Sequence, residues 1–288
     1  MPQRKKGRTH MPVTVTELTP TTGVEITGLS GNRLVDRGVA EECLAALERR
    51  GVVIYREADI DDDDLVAFGR LLGEVVPLPM GGHPTHREIQ RITRDPAKSP
   101  LAAYRESTFF WHIDGTTQRV PSKATLLTAR QVSGDGDGDT EFANTFAAYE
   151  ALPEAKRKEL DGLRVVHSFA ASQLLVTPDP SPKERAAWDR NPAREHPLVW
   201  TRRSGRRSLL IGATAGEVTG RPPDEGRRLL DRLLDWATQP RFTLRHRWRQ
   251  GDLVIWDNTG MLHRALPYGP ASSRLMHRTS LLGEEAVV

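Results

Sequence analysis

The amino-acid sequence predicts an α+β fold that is mainly β. In the second half of the chain, short apolar or alternating runs follow one another with the length and composition typical of strands. We predict strands at 124–129, 140–143, 209–212, 242–248 and 253–256. Two longer segments, 153–163 and 223–238, have helical periodicity and are predicted as helical insertions between these strands.

The first third of the chain predicts a mixed region of strands and helices. Alternating β-branched residues at 13–26 predict strands, and the apolar run 52–55 predicts a buried strand. A helix is predicted over 40–50 with Gly51 at its end, and a second one over 61–72 with acidic residues in its first turn. Segment 77–106 has no clear periodicity, and an irregular segment of that length is usually functional.

Composition is that of a globular enzyme with one domain. The 288 residues include 38% hydrophobic and 27% charged residues, and no apolar run is long enough to span a bilayer. We predict a single domain over 13–288, preceded by a disordered basic terminus over 1–12 in which Met11 is an alternative start. The single Cys43 excludes an intramolecular disulfide and favours the cytoplasm. The net charge is +3, but the arginines are scattered, so no nucleic-acid partner is expected.

The most informative motif is a His-x-Asp pair at His112 and Asp114. On a strand, residues at i and i+2 point to the same side, so both side chains could reach one ion. A third ligand would come from a neighbouring strand, and His263 follows the apolar run 253–256 by a few residues. Two histidines and one carboxylate form the facial ligand set of non-haem iron(II) oxygenases, which leaves the opposite positions of the metal open.

Further motifs accompany these ligands, and together they resemble the TauD/TfdA family of iron(II)- and 2-oxoglutarate-dependent dioxygenases. The resemblance extends from about residue 14 to 284, and it is closer to the 2,4-dichlorophenoxyacetate branch than to the taurine branch. It implies a double-stranded β-helix, or jelly roll, with Fe(II) as the metal and 2-oxoglutarate and O2 as cosubstrates. Relatives are often dimers or tetramers. The residues that carry the resemblance are Trp111-His112-Ile113-Asp114, Pro121 to Ala124, Gly138 to Phe142, Ala147 to Pro153, Gly251 to Asn258, His263 to Ala265, Arg274 and His277-Arg278.

The resemblance also implies roles for individual residues. Arg274 matches the arginine that holds the far carboxylate of 2-oxoglutarate, and Thr140 matches the threonine that adds a hydroxyl to it. Arg278 matches the arginine that binds the anionic substrate, and alternation would place Arg274, Met276 and Arg278 on one strand face. Trp256 and Asn258 are expected to orient the turn that precedes His263.

Three further residues are candidates for substrate contact: Gly115, Leu78 and His83. Leu78 stands where taurine dioxygenases carry a histidine that contacts the sulfonate, which favours a substrate with a more apolar body. His83 and His86 lie in the irregular segment, and if they do not contact substrate we expect them to be solvated.

The sequence therefore predicts an enzyme that hydroxylates a C–H bond of a small anionic, carboxylate-bearing molecule while 2-oxoglutarate is converted to succinate and CO2. An alternative keeps the cofactors but cleaves an alkyl sulfate or sulfonate, or performs a biosynthetic desaturation or oxidative decarboxylation. An alternative of another class is a non-catalytic jelly roll that binds an anion.

Overall fold

The computed structural model describes residues 12–78, 82–133 and 137–288. The basic terminus 1–11, with Met11, and the segments 79–81 and 134–136 lie outside these residues. The helices are α1 (Arg37–Arg50), α2 (Asp62–Leu72), α3 (Thr145–Glu150), α4 (Glu154–Leu160), α5 (Phe169–Leu174), α6 (Pro182–Trp188) and α7 (Pro223–Ala237). The strands are β1 (Thr14–Glu17), β2 (Val24–Thr27), β3 (Val52–Tyr55), β4 (Gln90–Ile92), β5 (Ala124–Gln131), β6 (Thr140–Asn144), β7 (Arg164–His167), β8 (Arg194–Pro197), β9 (Val199–Thr201), β10 (Arg207–Leu209), β11 (Ala215–Val218), β12 (Thr243–His246), β13 (Leu253–Asp257), β14 (Met261–Ala265) and β15 (Leu275–Ser280).

The largest sheet has the strand order β1-β2-β3-β13-β5-β15-β4. The central strands β3 and β13 are buried on both faces, whereas the edge strand β1 is exposed. Alternate residues of the central strands therefore pack against different layers. Leu253 and Ile255 of β13 point outward and pack in one core with α1 and α2. Val254 and Trp256 of the same strand point inward and join a second core. The outer helices thus cover one face of the sheet and leave the other for a second sheet.

That second sheet has the order β12-β6-β14. Phe142 of β6 and Met261 of β14 pack with Val254, Trp256 and Met276 of the large sheet in the inner core. Two facing sheets with a shared core form the predicted jelly roll, although they do not close into a barrel. The helical insertions surround a third core, which includes residues of β7, β11 and α7.

Most of the predicted elements are confirmed. Gly51 ends α1 with a φ of 72°, a conformation in which glycine is favoured. Asp61 caps α2, because its side chain accepts a hydrogen bond from the Asp64 N–H. The prediction of an irregular segment over 77–106 was wrong in part: it contains β4, which pairs with β15, and the start of a 3₁₀ segment at Ala102–Phe109. The strand predicted at 209–212 ends at Leu209. No helix in the described part of the chain is long and apolar enough to cross a bilayer.

Candidate active site

Three of the predicted residues meet at the inner face of the jelly roll. One ligand atom each of His112, Asp114 and His263 lies within 4.8 Å of the other two. The backbones of His112 and His263 form an isolated antiparallel bridge, with N–O distances of 3.0 and 2.8 Å. His112 is therefore not part of a regular strand, contrary to the prediction. The chain turns directly after Asp114, where Gly115 adopts a φ of 83°.

His112 presents an unprotonated nitrogen to the centre of the triad. The Nδ1–H of His112 donates to the Phe110 carbonyl at 2.9 Å, which leaves Nε2 as the free nitrogen. Burial and the neighbouring His263 lower the pKa of His112 to about 4. The imidazole of His112 is therefore neutral at pH 7, which is the state that a metal requires.

Asp114 is held as a carboxylate by its surroundings. Burial raises the pKa of Asp114, but the charge of Arg278 and then that of His263 outweigh burial and hold it well below its usual range. Arg278 Nη2 lies 3.0 Å from Asp114 Oδ2, and His263 Nε2 lies 3.5 Å from the same oxygen. A buried carboxylate beside two imidazoles matches the donor set of Fe(II).

A short chain of side chains orients the Asp114 carboxylate. Thr125 Oγ1 donates to Asp114 Oδ2 at 3.1 Å, and Asn258 Nδ2 donates to Thr125 Oγ1 at 2.9 Å. The Trp256 ring packs against the His263 ring with 4.7 Å between centroids. Trp256 thus contacts the triad, and Asn258 contacts Thr125, which supports it. Their role in orienting the turn before His263 stays a prediction, and Thr125 was missed. The signal for Thr125 was available, since alternation along β5 places it on the inner face.

Replacing Thr125 with Val is expected to weaken Fe(II) binding about tenfold or more, because the orientation of Asp114 is lost. Anaerobic titration with Fe(II) measures the dissociation constant. Thr128→Val is the matched control: it lies on the same strand, and its buried hydroxyl has no hydrogen-bond partner among the described residues. Equal Fe(II) affinity in the two variants would contradict the role of Thr125.

The residues predicted for 2-oxoglutarate lie close to each other. Arg274 is buried, and its guanidinium lies 4.9 Å from the centre of the Tyr268 ring. Its side chain packs against Gly138, where an added Cβ would lie 2.7 Å from Arg274 Cδ. Thr140, two residues later, is buried and accepts a hydrogen bond from Trp248 Nε1 at 2.9 Å. Within the described part of the chain Arg274 forms no ion pair, so its charge suits a carboxylate from outside.

Comparisons with known proteins agree with this geometry. The model of the family described as "Taurine catabolism dioxygenase TauD, TfdA family" matches residues 14–280. The chain belongs to this family. It is 35% identical over 252 residues to an alpha-ketoglutarate-dependent 2,4-dichlorophenoxyacetate dioxygenase of Burkholderia sp. (strain RASC), with 82% of this chain and 83% of the relative covered. It is 31% identical to an alpha-ketoglutarate-dependent sulfate ester dioxygenase of Pseudomonas putida, with 92% and 88% covered.

A solved structure supports the same assignment. The crystal structure of AAD-2 in complex with Mn(II) and N-oxalylglycine has a TM-score of 0.80 and 29% identity, and the match covers 96% of this chain and 100% of that one. As a TauD/TfdA member, this chain is a non-haem iron dioxygenase that uses Fe(II), 2-oxoglutarate and O2. The predicted similarity to the 2,4-dichlorophenoxyacetate branch is also confirmed.

The predicted substrate residues of this TauD/TfdA chain lie in different places. Arg278 reaches the triad through its ion pair with Asp114. Gly115 follows Asp114, and a Cβ there would lie 2.8 Å from the Ser122 nitrogen, which shows that this glycine is needed for the turn. Leu78 is half-buried, donates its N–H to the Arg87 carbonyl and borders the segment 79–81, which is outside the described residues.

His83 lies in a separate cluster and is not solvated. Its side chain is 7% exposed, and its Nε2 lies 3.1 Å from Asp62 Oδ2. The Nδ1 atom accepts backbone hydrogen bonds, including one from His86 N–H at 3.0 Å, so Nε2–H is the donor to Asp62. His277 Nδ1 also contacts Asp62, at 2.7 Å, and strand alternation places His277 on the face opposite Arg278. His83 therefore anchors the irregular segment to α2.

Asp62, His83 and His277 have the spacing of metal ligands, but their hydrogen bonds favour another role. The Arg130 guanidinium, His83 and His277 all contact the Asp62 carboxylate, so its oxygens already have protein partners. Burial raises the pKa of Asp62, but the hydrogen bond and charge of His277, followed by those of Arg130, hold it below its usual range. The cluster thus acts as a structural clasp around an ionised carboxylate.

Asp62→Asn is expected to lower the free energy of unfolding by about 1.5–3 kcal/mol at pH 7, because His277 and Arg130 lose a charge-assisted partner. Asp63→Asn, an adjacent and 92% exposed position, is the control and should change it by less than about 0.5 kcal/mol. Because the folded pKa of Asp62 is lowered, its contribution is present above about pH 4 and is lost as the pH falls further. In denaturant unfolding, the free energies of unfolding of wild type and Asp62→Asn should therefore converge as the pH falls below about 4. Equal free energies of unfolding for wild type and Asp62→Asn at pH 7 would contradict the clasp.

Proposed function

We propose that this enzyme hydroxylates a C–H bond of a small anionic substrate that bears a carboxylate, with conversion of 2-oxoglutarate and O2 to succinate and CO2. His112, Asp114 and His263 would hold the iron, which supplies the oxidising chemistry when bound. Arg274 and Thr140 would bind the far carboxylate of 2-oxoglutarate. One oxygen atom of O2 enters the substrate and the other enters succinate, so the reaction balances.

The observation that carries this proposal is a triad of candidate metal ligands together with a buried arginine, Arg274, that forms no ion pair among the described residues. Neutral His112, ionised Asp114 and Arg274 offer the charges that Fe(II) and a dicarboxylate require. A non-catalytic anion-binding protein would not need the three ligand side chains. Arg278 would then position the substrate anion, with Leu78 and Gly115 as further contacts and without His83, which faces the clasp.

Cleavage of an alkyl sulfate is the second candidate, and one observation supports it. The P. putida relative is named as a sulfate ester dioxygenase and is 31% identical to this chain. Hydroxylation of the carbon next to the ester oxygen gives a product that breaks into two fragments, so both candidates begin with the same C–H oxidation. The cytoplasmic location and a homo-oligomeric state are also proposals, supported by the single buried Cys43 and by the family resemblance respectively.

Substrate-stimulated succinate formation tests the proposed function. The Fe(II) enzyme is supplied with 2-oxoglutarate, O2 and a panel of aryloxy- and alkyl-carboxylates, alkyl sulfates, sulfonates and their neutral amides. We expect carboxylates to stimulate succinate formation, with one hydroxylated product per succinate, and the amides to have no effect. Stimulation by the amides and not by any anion would contradict an anionic substrate.

A further inference from the structure

Arg105 is a buried arginine that the roles described above do not use. It lies in the 3₁₀ segment Ala102–Phe109 and is 7% exposed. Its Nε and Nη2 atoms have no hydrogen-bond partner, and it forms no ion pair among the described residues. Burial of a guanidinium with unsatisfied N–H groups is costly, so such a group indicates a missing anion.

The neighbours of its 3₁₀ segment place Arg105 beside the active site. The 3₁₀ segment is held against the site by the Phe109 ring, which lies 5.5 Å from the Tyr268 ring. The same Tyr268 ring lies under the Arg274 guanidinium. Burial and the charges of Arg278 and Arg274 lower the pKa of Arg105 to about 10, while Tyr268 and Asp114 act in the opposite direction. Arg105 is therefore a cation at pH 7 and shares the electrostatic environment of the triad.

Arg278 also has a buried N–H group that lacks a hydrogen-bond partner. Although Arg278 pairs with Asp114, its Nε is buried without a partner among the described residues. The other arginines around the site already have carboxylates: Arg94 pairs with Glu106, and Arg245 pairs with Asp139. Within the described residues, two guanidiniums of the site thus retain free N–H groups.

A count of the charges in the site with Fe(II) and 2-oxoglutarate bound also identifies Arg105 and Arg278. At neutral pH, Fe(II) and Arg274 bring three positive charges, while Asp114 and the two carboxylates of 2-oxoglutarate bring three negative charges. Beyond this balance, Arg105 and Arg278 remain as two further cations among the described residues of the site. A single negative charge on the substrate would compensate only one of them.

We propose that Arg105 is a second substrate-binding arginine, and that it acts with Arg278 to select a substrate whose head group is a dianion, such as a malonate-type dicarboxylate or a phosphate monoester. The inference rests on the proposed function, because Fe(II) and 2-oxoglutarate enter the charge count. It goes beyond that function in requiring two negative charges held close together, either in a dicarboxylate or in a phosphate monoester in place of the single carboxylate. Sequence patterns gave no signal for this residue, since Arg105 is a lone arginine in an irregular segment.

Matched pairs of ligands that differ in one charge test the proposal. Phenyl phosphate is compared with phenyl sulfate, and benzylmalonate with 3-phenylpropionate, at pH 8, where a phosphate monoester with a second pKa of about 6 is doubly charged. Each is titrated anaerobically into the Fe(II)–2-oxoglutarate enzyme, and the perturbation of the visible charge-transfer band gives its dissociation constant. Wild type should bind the dianion of at least one pair about tenfold or more tightly than its monoanion.

Arg105→Gln should abolish this preference by weakening the dianion about 10- to 100-fold, with the 2-oxoglutarate band unchanged. Arg105→Lys should retain part of the preference, and Arg70→Gln, an exposed arginine on α2, should retain all of it. A wild-type enzyme that binds no dianion more tightly than its monoanion would overturn the proposal even if Arg105→Gln does not fold. Absence of the band itself in wild type would instead overturn the proposed function.

Discussion

Replacing His263 with Ala is expected to reduce succinate formation more than about 100-fold. Loss of a residue that only supports a metal ligand costs about 10- to 100-fold, so loss of a ligand should cost more. His263 also packs against Trp256, so the folded state of the variant is checked by its thermal unfolding. The measurement is succinate formed per chain at saturating 2-oxoglutarate, together with bound iron.

His86→Ala is a suitable control for that experiment. His86 pairs with the exposed Asp63 and lies outside the triad, so its removal should leave iron content and turnover close to wild type. His263→Gln keeps a polar side chain of similar size and separates loss of packing from loss of the ligand nitrogen. Iron content and turnover at the wild-type level in His263→Ala would remove His263 from the ligand set.

The second large effect is expected at the two arginines around β15. Arg274→Ala should raise the KM for 2-oxoglutarate about 10- to 100-fold, because a charge-assisted hydrogen bond to a carboxylate contributes about 1.5–3 kcal/mol. Arg278→Ala should mainly weaken the primary substrate and leave 2-oxoglutarate binding nearly unchanged. Both variants should form more succinate per hydroxylated product, because a displaced substrate uncouples the two half-reactions.

The structure requires one precaution for this comparison. Arg278 forms an ion pair with Asp114, so Arg278→Ala is compared with wild type at saturating Fe(II). Arg278→Lys keeps the charge and should preserve most of the iron affinity. If Arg278→Ala weakens 2-oxoglutarate binding as much as Arg274→Ala does, the two arginines share one anion and the division of roles fails.

The sequence predicted best those elements and residues that are determined by their neighbours in the chain. The buried strand Val52–Tyr55, the helix end at Gly51 and the capped start of α2 follow from apolar periodicity and from residues with strong backbone preferences. His112, Asp114 and His263 could be recognised because the motifs around them resemble one family, although a His-x-Asp pair by itself is common. The bridge between His112 and His263 could not, since it joins residues that are far apart in the chain.

The residues that were missed or misplaced depend on tertiary contacts. His83 was expected at the substrate or in solvent, but Asp62 of α2 binds it from a distant part of the sequence. Segment 77–106 contains β4 because it pairs with the edge of β15. A strand of three residues is too short to show a periodicity from which that pairing could be predicted. The role proposed for Arg105 depends on the charges of Arg278, Arg274 and Asp114, which act on it from other parts of the sequence.

The account depends most directly on one measurement: anaerobic titration of the Fe(II) enzyme with 2-oxoglutarate, followed by visible absorption. If His112, Asp114 and His263 hold the iron and Arg274 binds the cosubstrate, a charge-transfer band should appear and saturate at one 2-oxoglutarate per chain. His263→Ala should show no band, and Arg274→Ala should need about 10- to 100-fold more 2-oxoglutarate. A band of full intensity and unchanged affinity in both variants would contradict the account.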